Sequence, residues 1–154
     1  MSMRTSRTAP KRRRRLKPHG HRLLTKSEQM ARVRSRDTDA EVLLRRALWR
    51  AGLRFRLGTR ALPGSPDIIF KSKRIAVFVN GCFWHGCPVH YTEPKANREF
   101  WLSKLETNRR RDQRVDGELL KLGWRVIRIW EHEVYGNIAD VVARVQKEHG
   151  AGLL

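Results

Sequence analysis

A continuous apolar run, residues 75–79, leads directly into a segment that crowds cysteine, histidine and aromatic residues together, residues 80–90. Such a run predicts a central strand that is buried on both faces. The segment after it is expected to be an irregular loop at the end of that strand. The two features together require a sheet that is well covered, and they place the chemically distinctive residues beside one strand end.

Periodicity and turn signals give the rest of the element order. Thr38 followed by Glu41 is a capping-box pattern, and apolar residues then recur at helical spacing as far as Gly52. The predicted elements are helices over 27–33 and 38–52, strands over 53–57, 67–70 and 75–79, a long helix over 97–122, a strand over 124–130 and a helix over 138–148. This order favours an α/β fold with a mixed central sheet flanked by helices.

The charge of the chain indicates a polyanionic partner. It has 34 Lys and Arg against 15 Asp and Glu, a formal net charge of +19. Residues 1–36 hold 13 basic residues and one acid, a net of +12, and the rest of the chain is also basic. Nucleic acid is the usual partner for such a chain, and the alternative is a solvated basic surface. We expect a disordered basic arm over 1–25 and a folded domain over 26–154.

No stretch approaches the ~20 apolar residues that a membrane span needs. The basic N-terminus lacks the apolar segment of a secretory signal, so no membrane association is expected. In such a chain the two cysteines favour free thiols or metal ligands over a disulfide framework.

Asp67 opens a predicted strand directly after Pro66. The next strand is expected to pair with it as a hairpin, so that Val79 ends nearby and its carbonyl could share a cation with the carboxylate. Phosphodiester hydrolysis uses such a cation, which prefers oxygen ligands, together with a base that activates water. His85 lies six residues after Val79 and is a candidate for the base. The alternative is an ordinary turn carboxylate at Asp67.

One face of the predicted long helix carries polar residues within an apolar stripe. Asn108 and Asp112 share that face with Leu105 and Val115. Buried polar groups need partners, and a metal site or a catalytic histidine would provide them. The alternatives are an exposed face or a hydrogen bond to a loop. Glu41 is likewise either a capping-box acid or an acid that faces the metal site.

The segment over 80–90 contains three soft or borderline metal ligands, Cys82, Cys87 and His90. A closed structural zinc site needs four cysteine or histidine ligands in a tetrahedron, and His132, after the last predicted strand, is the natural fourth. The alternatives are a disulfide, two free thiols, or His85 as a competing ligand. We expect structural zinc, with His85 left free of it.

Phe83 and Trp84 lie in the same segment, and Trp101 begins the stripe of the long helix. Aromatic groups beside a basic surface can stack on bases or wedge into a base step. The alternative is core packing, which applies most strongly to Trp101. The basic turn from Arg109 to Arg111 is expected to contact phosphates or to form a solvated face.

Several strings match a known family in order and spacing over about residues 27–135. They are Arg36-Asp37-Thr38 with Glu41, Leu62-Pro63-Gly64-Ser65-Pro66-Asp67, Gly81-Cys82-Phe83-Trp84-His85-Gly86-Cys87, Phe100-Trp101, Asn108, Arg111-Asp112, and Gly123-Trp124-Arg125-Val126 running to Trp130-Glu131-His132. The chain resembles the very short patch repair (Vsr) DNA mismatch endonucleases. The basic arm lies outside the resemblance.

The resemblance implies a restriction-endonuclease-like fold and magnesium-dependent nicking of one DNA strand, 5′ to the mispaired T of a T:G mismatch. Such mismatches arise when 5-methylcytosine deaminates. The implied substrate is double-stranded DNA that carries a T:G mismatch. General mismatch-repair proteins are further candidate partners, and a monomer in the bacterial cytoplasm or nucleoid is expected.

The resemblance also implies a role for each site residue. His85 would be the base, Glu41 would support the site, and Asp112 would partner the catalytic water or the histidine. The implied groups are Asp67, His85, Glu41, Asp112 and Asn108 for catalysis; Asp67 and the Val79 carbonyl for Mg²⁺; Cys82, Cys87, His90 and His132 for Zn²⁺; and Phe83, Trp84, Trp101, Asn80, Arg109 and Arg111 for DNA contact.

Three departures from related nucleases are visible, one of which is that the segment over 80–90 differs in spacing from histidine-richer relatives. Where family members often place an acid, histidine or threonine, Val79 and Asn80 offer only a carbonyl and an amide, and the Glu-x-Lys that usually follows Pro-Asp is absent. Two further hypotheses stand beside the mismatch nuclease. One is a zinc-stapled DNA-binding module without catalysis, and the other is a nuclease of the same fold with a different substrate.

Overall fold

Turn and cap residues divide the chain into short elements, which the computed structural model describes over residues 36–58 and 60–151. The basic arm over 1–25 and the helix over 27–33 lie outside the described residues and stay predictions. The elements are α1 (Asp39–Arg50), β1 (Arg56–Leu57), β2 (Ile68–Phe70), β3 (Ile75–Asn80), α2 (Cys82–His85), α3 (Arg98–Lys121), β4 (Arg125–Trp130), α4 (Glu131–Gly136) and α5 (Ile138–Gly150).

The four strands form one mixed sheet in the order β1-β2-β3-β4. β2 pairs antiparallel with both β1 and β3, which confirms the predicted hairpin, whereas β3 and β4 are parallel. A parallel pair needs a long crossover, and α3 is part of the connection between these two strands. The parallel register sets Asn80 opposite Trp130, so the chain leaves both strands at the same end of the sheet.

Alternate residues of β3 point to opposite faces of the sheet. Ile75 and Val77 pack into a core with residues of α1, α4 and α5, whereas Ala76 and Phe78 pack against α3. The sheet is therefore covered on both faces, as the apolar run predicts. A mixed α/β fold with helices on both faces is confirmed. Within the described residues, no helix has both the length and the apolar character needed to cross a membrane.

The first helix begins as its sequence predicts. The Thr38 side chain accepts a hydrogen bond from the Glu41 N–H at 3.3 Å, and the Glu41 carboxylate accepts one from the Asp37 N–H at 2.9 Å. These contacts satisfy N–H groups that a helix start leaves without partners. Glu41 is buried, so this helix start also delivers a carboxylate to the interior.

Two expectations about the elements are wrong in detail, and one helix was not predicted. The strand predicted over 53–57 is paired only at Arg56–Leu57, because Leu53 turns into the core instead. The segment predicted as an irregular loop contains the one-turn helix α2, which ends at Gly86 in a left-handed conformation. The helix α4, which follows β4 without a break, has no counterpart among the predicted elements.

Two neighbouring leucines of α3 test this packing. Leu119 is fully buried against the sheet, whereas Leu120 is 71% exposed. We expect Leu119→Ala to lower the free energy of unfolding by about 2–5 kcal/mol, because it leaves a cavity in the core. Leu120→Ala should change it by no more than about 0.5 kcal/mol. Urea denaturation measures both, and equal losses would contradict the assignment of the buried face.

Candidate active site and metal centre

The hairpin register brings Asp67 to the carboxyl end of β3. The Asp67 N–H donates to the Val77 carbonyl at 2.9 Å, and one carboxylate oxygen accepts a hydrogen bond from the Val79 N–H at 2.7 Å. Asp67 is therefore fixed against the end of the neighbouring strand, where the sequence predicts it.

Asp67 sits in an environment that disfavours its charge. Burial raises the pKa of its carboxyl to about 6 against the lowering effect of the Val79 N–H, and the charge of Glu41 raises it further. Glu41 therefore acts on Asp67 as well as at the start of α1. Arg45 donates to Glu41 at 3.0 Å and opposes the rise in the pKa of Asp67. A cation at these carboxylates would relieve their repulsion.

His85 and Asp112 form a close pair. The Nδ1 atom of His85 lies 2.5 Å from a carboxylate oxygen of Asp112, and both side chains are largely buried, with exposures of 17% and 18%. Because Nδ1 faces an acceptor, the proton of a neutral imidazole is held on Nδ1, which leaves Nε2 as a proton acceptor. The structure thus brings together two residues that the sequence assigns to catalysis.

Arg128 extends this pair into a network that sequence reasoning missed. Its guanidinium donates to the side chains of Asn80 at 3.2 Å and Asp116 at 2.7 Å, and it lies 3.6 Å from an Asp112 carboxylate oxygen. Asn80, which the sequence assigns to DNA contact, is 5% exposed and turned towards Arg128. The alternation of apolar and basic residues along β4 does not predict this role for Arg128. It shows only that Arg128 and Trp124 lie on the same face of the sheet.

Two residues of α3 hold the segment that carries His85. The Asn108 amide donates to the Trp84 carbonyl at 2.8 Å, and Arg109 donates to the Gly86 carbonyl at 3.2 Å. Asn108 therefore makes the loop contact that was the structural alternative to a catalytic role. Gly86 has a φ of +66°, a left-handed conformation that side chains rarely adopt, which explains why glycine occupies this position. Arg111, also on α3, is exposed.

Four side chains form a candidate metal centre near the His85–Asp112 pair. They are the four predicted zinc ligands, Cys82, Cys87, His90 and His132, and their ligand atoms all lie within 4.8 Å of one another. Cys82 Sγ and Cys87 Sγ lie 3.2 and 3.5 Å from His132 Nδ1, and Cys87 Sγ lies 3.9 Å from His90 Nδ1. Tetrahedral zinc with bonds of ~2.3 Å to sulfur and ~2.0 Å to nitrogen sets such atoms about 3.5 Å apart. The donor set therefore fits zinc.

The sheet explains why distant residues meet at this centre. Cys82 follows β3 and His132 follows β4, and the two strands end side by side. The Cys82 N–H donates to the Glu131 carboxylate at 2.7 Å, which ties α2 to α4. Both cysteines are buried free thiols, so the disulfide alternative is not formed. Burial raises the pKa of the Cys82 thiol to about 11. A bound metal would replace the thiol proton.

Aromatic rings of α2, of α3 and of the segment between them lie close together. Phe83 lies 5.4 Å from Trp84 and 5.2 Å from Trp101 between ring centroids, and the two tryptophans are 6.0 Å apart. Tyr91, which the sequence did not single out, lies 6.2 Å from Phe83. These four rings are only half-buried. They form an aromatic cluster next to the His85 pair rather than part of the main core.

Comparison with known proteins gives a family match. The model of the family described as DNA mismatch endonuclease Vsr matches residues 21–90. Over 122 residues the chain is 44% identical to the type II nicking enzyme V.XorIIP of Xanthomonas oryzae pv. oryzae, which covers 78% of this chain and 85% of the relative.

Two further relatives are similar at comparable levels. The type II nicking enzyme V.NmeDIP of Neisseria meningitidis serogroup C is 41% identical over 116 residues, 74% of this chain and 78% of the relative. The DNA mismatch endonuclease Vsr of Escherichia coli strain K12 is 38% identical over 117 residues, 75% of each chain. The matches extend well beyond the cysteine and histidine segment.

Proposed function

The chain belongs to the Vsr family of DNA mismatch endonucleases, and from that premise we propose that it nicks one strand of duplex DNA 5′ to the mispaired T of a T:G mismatch, in a magnesium-dependent reaction. Its relatives are named endonucleases and nicking enzymes, and the chain is accordingly a DNA endonuclease. A DNA-binding module without catalysis is thereby disfavoured. The restriction-endonuclease-like assignment of the fold is part of the proposal.

One observation carries the proposal: the His85–Asp112 pair and the partly buried Asp67 lie at the same end of the sheet, beside an aromatic cluster. Hydrolysis of a phosphodiester uses a base that activates water and acidic side chains that bind a metal ion. Recognition of a disturbed base step benefits from aromatic groups that can stack. The combination at one strand end supports a nuclease that acts at a mispair.

Asp67 and the Val79 carbonyl would hold magnesium, with Glu41 as a supporting charge. The ion, when bound, would supply charge neutralisation at the phosphate. The chain's own part is to present a carboxylate that is fixed in position, since the Val79 N–H holds one oxygen of Asp67. The mutual repulsion of Asp67 and Glu41 supports a cation at this point.

His85 would act as the general base. Asp112 holds the proton on Nδ1, so that Nε2 can take a proton from the attacking water. Asp112 then stabilises the imidazolium that forms. Asn108 and Arg109 hold the backbone on either side of His85, which limits the movement of the ring. Asn108 is therefore proposed to position the base, and Arg111 and the basic face of α3 to contact phosphates.

The biological setting is also a proposal. A T:G mispair left by deamination of 5-methylcytosine would be the natural substrate, and the names of the bacterial relatives support a role on bacterial DNA. General mismatch-repair proteins are candidate partners, and a monomer in the cytoplasm or nucleoid would suffice for the reaction. A direct contact of the buried Asn80 with DNA stays a prediction.

Nicking of a defined duplex tests the proposal. The protein is incubated with magnesium and either a duplex that carries one T:G mispair or the perfectly paired duplex of the same sequence. We expect nicks in the mispaired duplex alone. Equal cleavage of both duplexes would favour a nuclease of the same fold with a different substrate.

The metal centre gives a stability prediction. We expect zinc to co-purify with the protein and to be absent from Cys87→Ala. Loss of bound zinc should lower the free energy of unfolding by about 4 kcal/mol when free zinc exceeds its dissociation constant about a thousandfold. Elemental analysis and urea denaturation measure the two effects. His85→Ala is the matched control and should keep its zinc. Native protein that contains no zinc would contradict the assignment.

The aromatic cluster gives a binding prediction. We expect Trp84→Ala to weaken binding of the T:G duplex about tenfold to a hundredfold, because an aromatic group that stacks on a base contributes ~1–3 kcal/mol. Trp49, which is 53% exposed on α1, is the matched control, and Trp49→Ala should bind as the wild type does. Fluorescence anisotropy measures both. Equal affinity of Trp84→Ala and wild type for the T:G duplex would remove this cluster from mismatch recognition.

A further inference from the structure

We propose that Arg128 is a positioning residue for the nicking reaction: it fixes the Asp112 carboxylate so that Asp112 in turn fixes His85. The inference rests on the proposed role of His85 as the base. Arg128 lies on β4, on the face that packs against α3, and its guanidinium is stacked 4.7 Å from the Phe78 ring centroid.

The guanidinium of Arg128 is held by hydrogen bonds to residues other than Asp112. Its Nε and one terminal nitrogen both donate to the Asp116 carboxylate, at 3.1 and 2.7 Å. The other terminal nitrogen donates to the Asn80 side chain at 3.2 Å. Asn80 ends β3 next to Val79, the residue whose N–H holds Asp67. Arg128 therefore joins the end of β3 to α3 through a planar group with fixed donor directions.

Arg128 contacts Asp112 at two points. It lies 3.6 Å from the carboxylate oxygen Oδ1, and it donates to the Asp112 backbone carbonyl at 3.4 Å. The other carboxylate oxygen, Oδ2, faces His85 at 2.5 Å. The two oxygens of Asp112 thus have different partners. Rotation of the carboxylate away from His85 would break its ion pair with Arg128.

Helical spacing explains how one arginine serves two acids. Asp112 and Asp116 are four residues apart on α3 and lie on the same face of the helix. Asp116 is 41% exposed and anchors the guanidinium from the outer side. Asp112 lies further in, between Arg128 and His85. An arginine at this position can satisfy the outer acid and orient the inner one, whereas a lysine would place a single charged group between them.

The chain supplies a matched control on the same strand. Arg125 is half-buried like Arg128, but it lies on the opposite face of the sheet, where it donates to Glu148 at 3.1 Å. Replacement of either arginine removes one charge, an ion pair with an acid on a helix and the packing of one long side chain from β4, but only Arg128 also has an ion pair with Asp112. A difference in catalysis between the two variants therefore reports on the connection to Asp112.

The experiment is a double-mutant cycle on single-turnover nicking of a T:G duplex. We expect Arg128→Met to lower the nicking rate about tenfold to a hundredfold, the range for residues that orient a catalytic group, with duplex affinity unchanged. Arg128→Lys should recover part of the rate, and Arg125→Met should nick as the wild type does. In an Asp112→Asn background, Arg128→Met should cause little further loss, because the two residues act through one step.

The results separate this inference from the proposed function. If the wild type nicks the T:G duplex and His85→Ala does not, but Arg128→Met is as fast as the wild type, the positioning role is wrong and the function stands. Fully multiplicative losses in the cycle would also overturn it. No nicking by the wild type would overturn both. Should Arg128→Met fail to fold, Asp116→Asn loosens the guanidinium anchor instead and should give a smaller rate loss that vanishes in the Asp112→Asn background.

Discussion

Asp67→Asn is expected to slow nicking of a T:G duplex about a thousandfold, since a held cation stabilises the transition state by several kcal/mol. The substitution keeps the shape of the side chain and a hydrogen-bond acceptor for the Val79 N–H. It removes the negative charge that would hold magnesium. Single-turnover nicking over a range of magnesium concentrations measures the effect, with Asp140→Asn, at an exposed aspartate on α5, as the control.

The same variant separates loss of activity from loss of folding. Burial raises the pKa of Asp67 from 3.8 to about 6, so the folded wild type loses stability as pH rises through that interval. Asp67→Asn does not lose stability in this way, because an asparagine side chain does not ionise. In magnesium-free buffer at a pH above this interval, we therefore expect Asp67→Asn to be at least as stable as the wild type. Normal nicking by Asp67→Asn would show that the Asp67 carboxylate is not needed for the reaction. Unfolding of the variant would contradict the expectation that burial of the Asp67 charge costs stability.

His85→Ala is expected to lower the nicking rate about a hundredfold to ten-thousandfold, the usual contribution of a positioned general base. The imidazole lies 2.5 Å from Asp112, and the segment that carries it is tied to α3 by Asn108. Loss of the ring should therefore leave duplex affinity and zinc content nearly unchanged. The matched control is His149→Ala, since His149 lies on α5, packs against Phe70 of β2 and is outside the site.

A companion variant makes the prediction for His85 more specific. Asp112→Asn keeps the size of the side chain but no longer stabilises the imidazolium by charge. It should slow nicking in the same direction as His85→Ala, and the double variant should be little slower than His85→Ala alone. Wild-type rates in His85→Ala would contradict its role as the base.

The sheet could be predicted from sequence because its signals are local. The apolar run that became β3, the turn cluster before Asp67 and the glycine before β4 each depend on a few neighbouring residues. The hairpin between β2 and β3 follows from their short connection. The mixed sheet, with helices on both faces, could therefore be predicted before the pairing was known.

Two short helices could not be predicted because local periodicity does not encode them. α2 has only four residues between two glycines, too few to show an apolar stripe. α4 begins where β4 ends, and its first turn is held by the Glu133 carboxylate, which accepts a hydrogen bond from the Trp130 N–H at 2.7 Å. A helix of six residues is too short for its apolar residues to show a helical period.

The site divides along the same line. Residue types that carry their own chemistry, such as the cysteines of the metal centre, His85 and Asp67, could be selected from sequence. Arg128 could not, because on sequence it resembles Arg125, three residues before it on the same strand. The difference arises from which face of the sheet α3 covers and from the position of Asp112 against it. Both depend on contacts between residues far apart in the chain.

The proposed activity of this site is nicking of one DNA strand at a T:G mispair. The most direct test uses a duplex with a single T:G mispair, labelled separately on each strand, with wild-type protein and magnesium, and maps the products at single-nucleotide resolution. We expect one nick, immediately 5′ to the mispaired T, in the T strand alone, and an intact T:A duplex. Nicks in both strands, or equal cleavage of the T:A duplex, would contradict it.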